Sequence, residues 1–296
     1  MRITVTGSLG NISRGLTEKL IAQGHDVHVI SSNADKAADI KKLQATPLIG
    51  SVEDYNFVKE SFRGSDAVYL MIPPNFNTPD YKAFTINVGK NYAKAIQETG
   101  IKYVVNLSSS GSPLAGKPPL TNYQDLEMWL DELQAINVLH LRPGGFYSNF
   151  FGSMGLIKYQ GIIGNNFGDN INLVMSHPDD IAEAAAEAFA TLPFKGKNVK
   201  YIISDTKNGR EIAQILGTAI GKPDLKWIQF PDEQLLQALM QNGFSKDAAQ
   251  HYIVDMGIAI REGLLEEHYK QHAHDVFGKR SFSEFANVFA GVYQQA

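Results

Sequence analysis

The 296-residue sequence contains no cysteine. Disulfides, thiolate metal sites and a cysteine nucleophile are therefore excluded, and a chain without thiols suits a reducing compartment. Basic residues are also in short supply, with 27 Lys and Arg against 31 Asp and Glu, for a formal net charge of −4. No local run of Lys and Arg offsets this. A nucleic-acid binder needs a basic face to displace counterions, so no nucleic-acid partner is expected. Long apolar runs are missing too: no stretch approaches the roughly eighteen residues that a membrane-spanning helix requires. No basic-then-apolar leader precedes the first strand-like segment, so the expectation is a cytoplasmic chain with no membrane partner. What remains is ordinary globular material, 44% hydrophobic and 20% charged, enough for one large or two modest domains.

The first half alternates two periodicities. Residues 2–6, 27–31, 47–50, 67–72, 103–108 and 138–141 are short β-branched or apolar runs. Between them lie segments with helical spacing, such as Ile12, Leu16, Leu20 and Ile21, with Gly24 as a stop, Asn33 and Asp54 as starts, and a long helix over 79–99. The run 67–72 is apolar throughout, as in a strand covered on both faces. Parallel strands need crossover helices, so the pattern predicts an α/β fold, a doubly wound parallel Rossmann sheet. Residues 1–150 are assigned to that domain, with 176–206 returning to it through a helix over 179–191 and a strand over 199–204. Residues 151–175 and 207–296 are expected to form a smaller, mainly helical substrate-side domain, and the glycine- and aromatic-rich stretch 152–168 a cleft wall.

The turn after the first strand reads Gly7-Ser8-Leu9-Gly10-Asn11-Ile12-Ser13. A dinucleotide fold brings backbone amides close to a pyrophosphate at a helix N-terminus, where the macrodipole favours negative charge. Glycine is needed where the turn is tight and where a side chain would strike phosphate. Gly7 and Gly10 fill those positions, and Ser13 stands where a third small residue allows close helix–strand contact. Some 20 residues on, where NAD binders carry an acid for the ribose hydroxyls, the chain has Ser31, Ser32 and Asn33, with Lys36 nearby. Without a carboxylate at 31–33, NADP(H) is favoured over NAD(H). Asn33 serves equally as a helix cap.

The motifs VTGSLGNIS, GSVEDYNFVKESFRGSDAVYLMIPP, VVNLSSSG and LRPGGFYSNF, in this order, resemble the NmrA-like, atypical branch of the short-chain dehydrogenase/reductase superfamily. The resemblance covers residues 1 to about 190. It implies a cofactor site in which Gly7, Leu9, Gly10, Asn11 and Ile12 hold the pyrophosphate and Ser51 and Val52 flank the adenine. Met71, Ile72 and Pro73 would pass beneath the cofactor, with Ser108 near it, and Pro143, Gly144 and Phe146 would meet the nicotinamide.

Catalytic members of the superfamily carry a Tyr-x-x-x-Lys pair and a strand-end serine; the lysine lowers the tyrosine pKa so that the phenol can exchange a proton. Here Tyr123 is present, but the lysine position holds Glu127. A carboxylate one helical turn away disfavours tyrosinate, which leaves Tyr123 as a hydrogen-bond or proton donor to a reduced product. Ser108 and Ser109 are either the strand-end serines of such a site, with Ser109 in the catalytic role, or turn-capping residues. Arg142 either forms a structural ion pair or faces the cofactor. Phe146, Tyr147, Asn149, Phe150 and Phe151 offer core residues and, for some, a flat substrate wall. His268 and His272 have the spacing of metal ligands on one helix but no third ligand, so no metal is expected. Two functions follow from the resemblance: an NADPH-dependent reductase of a small, flat acceptor such as a quinone, or a non-catalytic dinucleotide sensor that regulates a protein partner. A sugar-nucleotide epimerase would need the missing lysine.

Overall fold

The computed structural model describes residues 1–121, 125–273 and 276–295. In its first half six strands alternate with five helices: β1 (Arg2–Val5), α1 (Ser13–Ala22), β2 (Asp26–Ser31), α2 (Lys36–Lys42), β3 (Thr46–Ile49), α3 (Tyr55–Phe62), β4 (Ala67–Leu70), α4 (Tyr81–Thr99), β5 (Tyr103–Leu107), α5 (Leu126–Asp131) and β6 (Asn137–Pro143). The later elements are β7 (Gly145–Phe146), α6 (Met154–Gln160), β8 (Ile162–Asn165), β9 (Asn172–Ser176), α7 (Pro178–Thr191), β10 (Lys197–Ile202), β11 (Asp205–Asn208), α8 (Gly209–Ala219), β12 (Lys226–Gln229) and α9 (Asp232–Gln241). They end with α10 (Lys246–Ala248), a π-helical stretch Ala249–Val254, α11 (Asp255–Arg261), α12 (Leu264–His272), β13 (Val276–Phe277) and α13 (Phe282–Gln295).

One parallel sheet has the order β3–β2–β1–β4–β5–β6–β10–β13. The direction of winding reverses between β1 and β4, the point at which an open α/β sheet leaves a crevice at its carboxyl edge. Each face has its own core. Ile3, Val5, Val27 and Val29 pack with Leu16 and Leu20 of α1 and Ile181, Ala185 and Phe189 of α7. On the other face Val68, Leu70, Val104 and Val138 meet Val58 and Phe62 of α3, Val88, Tyr92 and Ile96 of α4, and Leu126 and Leu130 of α5. All four residues of β4 are buried, as its unbroken apolar run predicts.

A third core lies beyond β6. Tyr147, Met154, Ile157, Ile163, Phe167, Trp227 and Leu216 pack against Phe282, Phe285 and Phe289 of α13. It is framed by a three-stranded sheet, β11–β9–β7, and by the parallel pair β12–β8. The buried Asp180 carboxylate anchors this layer to the main sheet. It accepts hydrogen bonds from Ser204 Oγ (2.6 Å) and from the backbone amides of Lys279 (2.9 Å) and Arg280 (3.1 Å), and it ion-pairs with the Arg280 guanidinium. Tyr147 completes the tie by donating to the Arg280 carbonyl at 3.0 Å.

Several local expectations change. Helix α2 starts at Lys36, because Asn33 Oδ1 accepts from the Asp35 amide (2.8 Å) in a preceding turn. The stretch 152–168 contributes Met154, Ile157, Ile163 and Phe167 to the third core. Tyr147 is buried there, and Phe150 and Phe151 pack against it and against Phe282, Phe285 and Phe289. Tyr147 thus has the core role the sequence allows, while Phe150 and Phe151 are only partly buried. Among the described residues no helix is long and apolar enough to cross a membrane.

Candidate functional site

Strand β1 delivers the chain into Gly7, whose φ of +90° is in the left-handed region. A Cβ there would also lie 2.7 Å from Ser13 Oγ and 2.9 Å from the Met71 side chain. Both the conformation and the lack of room demand glycine. Ser8 has φ +55° and is held by Ser8 N–H to the Ile30 carbonyl (3.0 Å) and Ser8 Oγ to Ser31 Oγ (2.9 Å). Ser13, at the position of the third small residue, turns its hydroxyl inward to the Thr6 carbonyl at 2.8 Å. It thereby pins the first turn of α1 to the end of β1. Helix α1 begins with no side-chain cap and no acid in its first turn. Its leading amides and dipole are thus presented to the crevice without an internal anion, the arrangement that receives a phosphate.

The other loops at the carboxyl edge face this turn. The Met71 amide donates to Thr6 Oγ1 (2.8 Å), and the Met71 carbonyl accepts from Tyr92 OH (3.1 Å), so the segment of Met71, Ile72 and Pro73 is held beside the β1 loop. Asn11 Nδ2 reaches Ser148 Oγ at 3.2 Å, which brings the loop 7–13 against the segment that follows Phe146. The close crossing at Gly144 admits no side chain, since a Cβ would lie 2.2 Å from the Val174 carbonyl; the Gly144 amide donates to Ser176 Oγ at 2.8 Å. At the end of β2, Ser32, Asn33 and Lys36 are exposed, whereas Ser31 is only 2% exposed and bonds Ser8 and Asn33. Ser31 therefore shapes the loop from within. Val52 is buried in the core and Ser51 Oγ accepts from the Glu53 amide (3.2 Å).

At the floor of the crevice the Ser108 amide donates to the Leu141 carbonyl and the Ser110 amide to the Pro143 carbonyl, both at 2.8 Å. The Ser109 hydroxyl accepts from the Gly111 amide at 3.0 Å, a turn-capping bond. Glu127, at the lysine position, is gripped by Arg142 through Nε (3.0 Å) and Nη2 (2.6 Å). Burial pushes this carboxyl up, but the Arg142 hydrogen bonds and the charges of His140 and Arg142 more than offset it and hold it below the ordinary glutamate value. Arg142 is thus an ion-pair partner, and Glu127 is an anion already neutralised. From Arg142 Nη1 a chain of bonds continues to Tyr201 OH (3.5 Å) and on to His268 Nδ1 (3.0 Å). Burial and the nearby His272, Arg142 and Lys117 depress the His268 pKa, which favours the neutral ring beside Tyr201. His268 stacks on His272 at 4.0 Å between centroids. Tyr123 lies outside the described residues.

The roof was not legible in the sequence. The helical segment after α9 spans the ends of β4 and β5. The Ser245 amide donates to the Phe76 carbonyl (2.8 Å), and Asp247 accepts from the Tyr81 amide (2.7 Å). Phe76 sits 4.6 Å from Phe244 and 5.2 Å from Tyr252, and Tyr252 is 5.6 Å from Tyr81. Met256 comes down on the other side, with its Cε 3.2 Å from where a Gly111 Cβ would stand. The π-helical stretch carries Tyr252, and such stretches recur at functional sites. The double proline after Ile72 marks the loop, but its ring partners lie more than 150 residues away in sequence.

Comparison with known proteins gives the family and the fold. The model of the NmrA-like family matches residues 1–286. The chain belongs to the NmrA-like family. Among solved structures, this NmrA-like protein superposes on an NADPH-dependent quinone oxidoreductase from Escherichia coli in complex with NADPH (TM-score 0.77, 18% identity, 97% of this chain and 99% of that one). A Citrobacter sp. triphenylmethane reductase with NADP(H) matches equally, with TM-score 0.77, 18% identity and coverage of 97% and 99%. A Staphylococcus aureus nucleoside-diphosphate-sugar epimerase follows at TM-score 0.75 and 18% identity, over 97% and 100% of the two chains. These likenesses show the fold, that of NAD(P)-binding reductases and epimerases. A ketoreductase of Stigmatella aurantiaca is 24% identical over 123 residues, 40% of this chain and 37% of that protein. An uncharacterised Mycobacterium tuberculosis protein is 28% identical over 159 residues, 49% of this chain and 18% of its own length. The chain thus spans well under half the length of these curated relatives.

Proposed function

We propose that this NmrA-like protein is an NADPH-dependent reductase of a small, flat, electron-poor acceptor such as a quinone. The observation that carries the proposal is the loop 7–13: a left-handed Gly7 with no room for a Cβ, leading into a helix whose N-terminus lacks any side-chain cap. Gly7, Leu9, Gly10, Asn11 and Ile12 would hold the pyrophosphate; Ser51 and Val52 would flank the adenine. Ser32, Asn33 and Lys36 would meet a 2′-phosphate, favouring NADP(H) over NAD(H). Met71, Ile72, Pro73, Ser108, Pro143, Gly144 and Phe146 would line the nicotinamide end, and residues 207–296 would form most of the substrate side. The bound dinucleotide supplies a hydride; the protein positions, desolvates and protonates. Hydride transfer to a flat acceptor asks for orientation in an apolar crevice more than for a strong base, and the aromatic roof of Phe76, Tyr81 and Tyr252 supplies such a surface. The two neighbours whose names refer to a quinone and to triphenylmethane dyes support an acceptor of this shape.

A sensor that binds the dinucleotide and regulates a protein partner is the second reading, favoured by Glu127 at the lysine position. Titration with NADPH, NADP, NADH and NAD, followed by NADPH oxidation against a panel of quinones, separates the two. The reductase reading expects NADPH to bind tightest and at least one quinone to be turned over. Tight binding without turnover across the panel supports the sensor, and no binding of any dinucleotide removes both.

A further inference from the structure

Two carboxylates are buried at the head of α5, and among the described residues only Glu127 has an ion-pair partner in contact. Glu127 holds Arg142 through both of its oxygens. Among the described residues Asp125, 5% exposed, accepts from neutral donors: its Oδ1 accepts from the Glu127 amide at 2.9 Å, and its Oδ2 lies 3.5 Å from Ser108 Oγ, with the Ser112 hydroxyl also bonded to the carboxylate. Ser108 and Ser112 share a bond of 2.6 Å. Among the described residues, the charged or titratable groups facing Asp125 are Glu127 on its own helix and Arg142 and His140 on β6. Arg142 is committed to Glu127 and Tyr201, and the His140 ring is engaged by Asn106 at 3.1 Å and Asp131 at 3.0 Å. From α4, packed on the far side of α5, it is Gly89 that approaches, against Trp129 and Leu126. An ionised carboxylate without an ion-pair partner is costly to bury, so the site favours the protonated form of Asp125 over what water would allow. Ser108, by contrast, is half-buried at the end of β5, the carboxyl edge of the sheet, and its hydroxyl also bonds the Glu127 carboxylate.

We infer that Asp125 is a buried proton reserve that acts through the Ser108 hydroxyl on an acceptor reduced in the crevice, an assignment that rests on the reductase reading above. Conversion of a quinone to its hydroquinone takes one hydride, from the reduced nicotinamide dinucleotide, and one proton. The Asp125 O–H bond breaks as its proton passes to Ser108 Oγ, and the Ser108 proton passes to the acceptor oxygen. Water reprotonates the Asp125 carboxylate once the product has left. This route needs no lysine and tolerates the glutamate at position 127, because Arg142 has already neutralised it. Burial, together with the charge of Glu127, pushes the Asp125 carboxyl up to about 6, against the downward pull of the Glu127 amide, the Ser112 hydroxyl and His140.

The test has one arm that needs no turnover. Infrared difference spectra of the dinucleotide-free protein across pH 4 to 8 are expected to show a protonated-carboxyl band that titrates near 6 and is absent in Asp125→Asn, whose amide oxygen still caps α5. In the second arm, single-turnover NADPH oxidation by a quinone is expected to fall as pH rises through that same value. Asp125→Asn should flatten the profile and slow the step by about tenfold to a hundredfold, with the NADPH dissociation constant unchanged, and Ser108→Ala should slow the step likewise. An absent band, or a wild-type profile that Asp125→Asn leaves unaltered, overturns the inference while the reductase reading stands. A band that behaves as expected in a protein that binds NADPH but reduces nothing overturns the reductase reading and, with it, the use of the proton.

Discussion

Single residues carry most of the chemistry, and two of them make opposite demands on pH. Asp180 is fully buried, yet the hydrogen bonds from Ser204, from the Lys279 and Arg280 amides and from the Arg280 side chain outweigh burial and lower its pKa. Its contribution to stability is therefore present above the unfolded carboxylate value and lost as pH falls through the folded one. Asp125 is shifted the other way, to about 6, so its favourable neutral form prevails at low pH and its cost appears as pH rises from the unfolded value through that point. Urea unfolding at a series of pH values should show Asp125→Asn gaining on the wild type between pH 4 and 7, and Asp180→Asn losing least at the acid end. The ion pair of Glu127 and Arg142 gives a second check. Arg142→Ala strands a buried carboxylate and should cost about 3–5 kcal/mol in chemical denaturation, whereas the same change combined with Glu127→Gln should cost clearly less. At the end of β2, Lys36→Glu should weaken NADPH binding by about tenfold and leave NADH little changed, as read by fluorescence titration.

At the scale of elements, the helices and strands of the first half follow directly from the sequence periodicity. The apolar runs of β4 and β5 sit between crossover helices whose buried stripes are visible as spacing, and Asp54 caps α3 as its position suggests, accepting from the Asn56 amide at 2.9 Å. The C-terminal layer is less legible for a physical reason. The short extended run of β12 can be read locally, but its pairing with β8 across some 60 residues cannot, and β13 is a two-residue strand added to the sheet edge, too short to leave a pattern of its own. Phe150 and Phe151 find their partners in α13, so nothing local distinguishes a core ring from a ring on a substrate wall. The candidate cofactor loop was readable because its geometry is local; the roof of the crevice was not, because Phe76 and Tyr252 meet only through the fold. Gly257 provides a test of that roof. A Cβ there would fall 1.8 Å from Asn166 Oδ1, and the Asn166 amide links Asp232 (2.9 Å) to the Val254 carbonyl (3.0 Å). Gly257→Ala should therefore destabilise the protein by about 1–3 kcal/mol and weaken acceptor use before it weakens NADPH binding.

The whole molecule is a doubly wound sheet with loops from β1, β2, β3, β4, β5 and β6 gathered at one edge and a helical segment laid over that edge. The division of labour this implies is open to measurement. Tyr252→Ala and Phe76→Ala remove rings from the roof and should raise the KM for a flat quinone by about tenfold without altering the dissociation constant for NADPH. The loop 7–13 should behave in the opposite way. Isothermal titration of NADPH into the wild type and into Gly7→Ala addresses the central claim directly, because the added methyl group meets Ser13 and Met71 and the left-handed φ disfavours alanine. Saturable binding at one site, weakened by about tenfold or more in a variant that remains folded, is the expected result. No binding to the wild type, or binding that Gly7→Ala leaves unchanged, would contradict it.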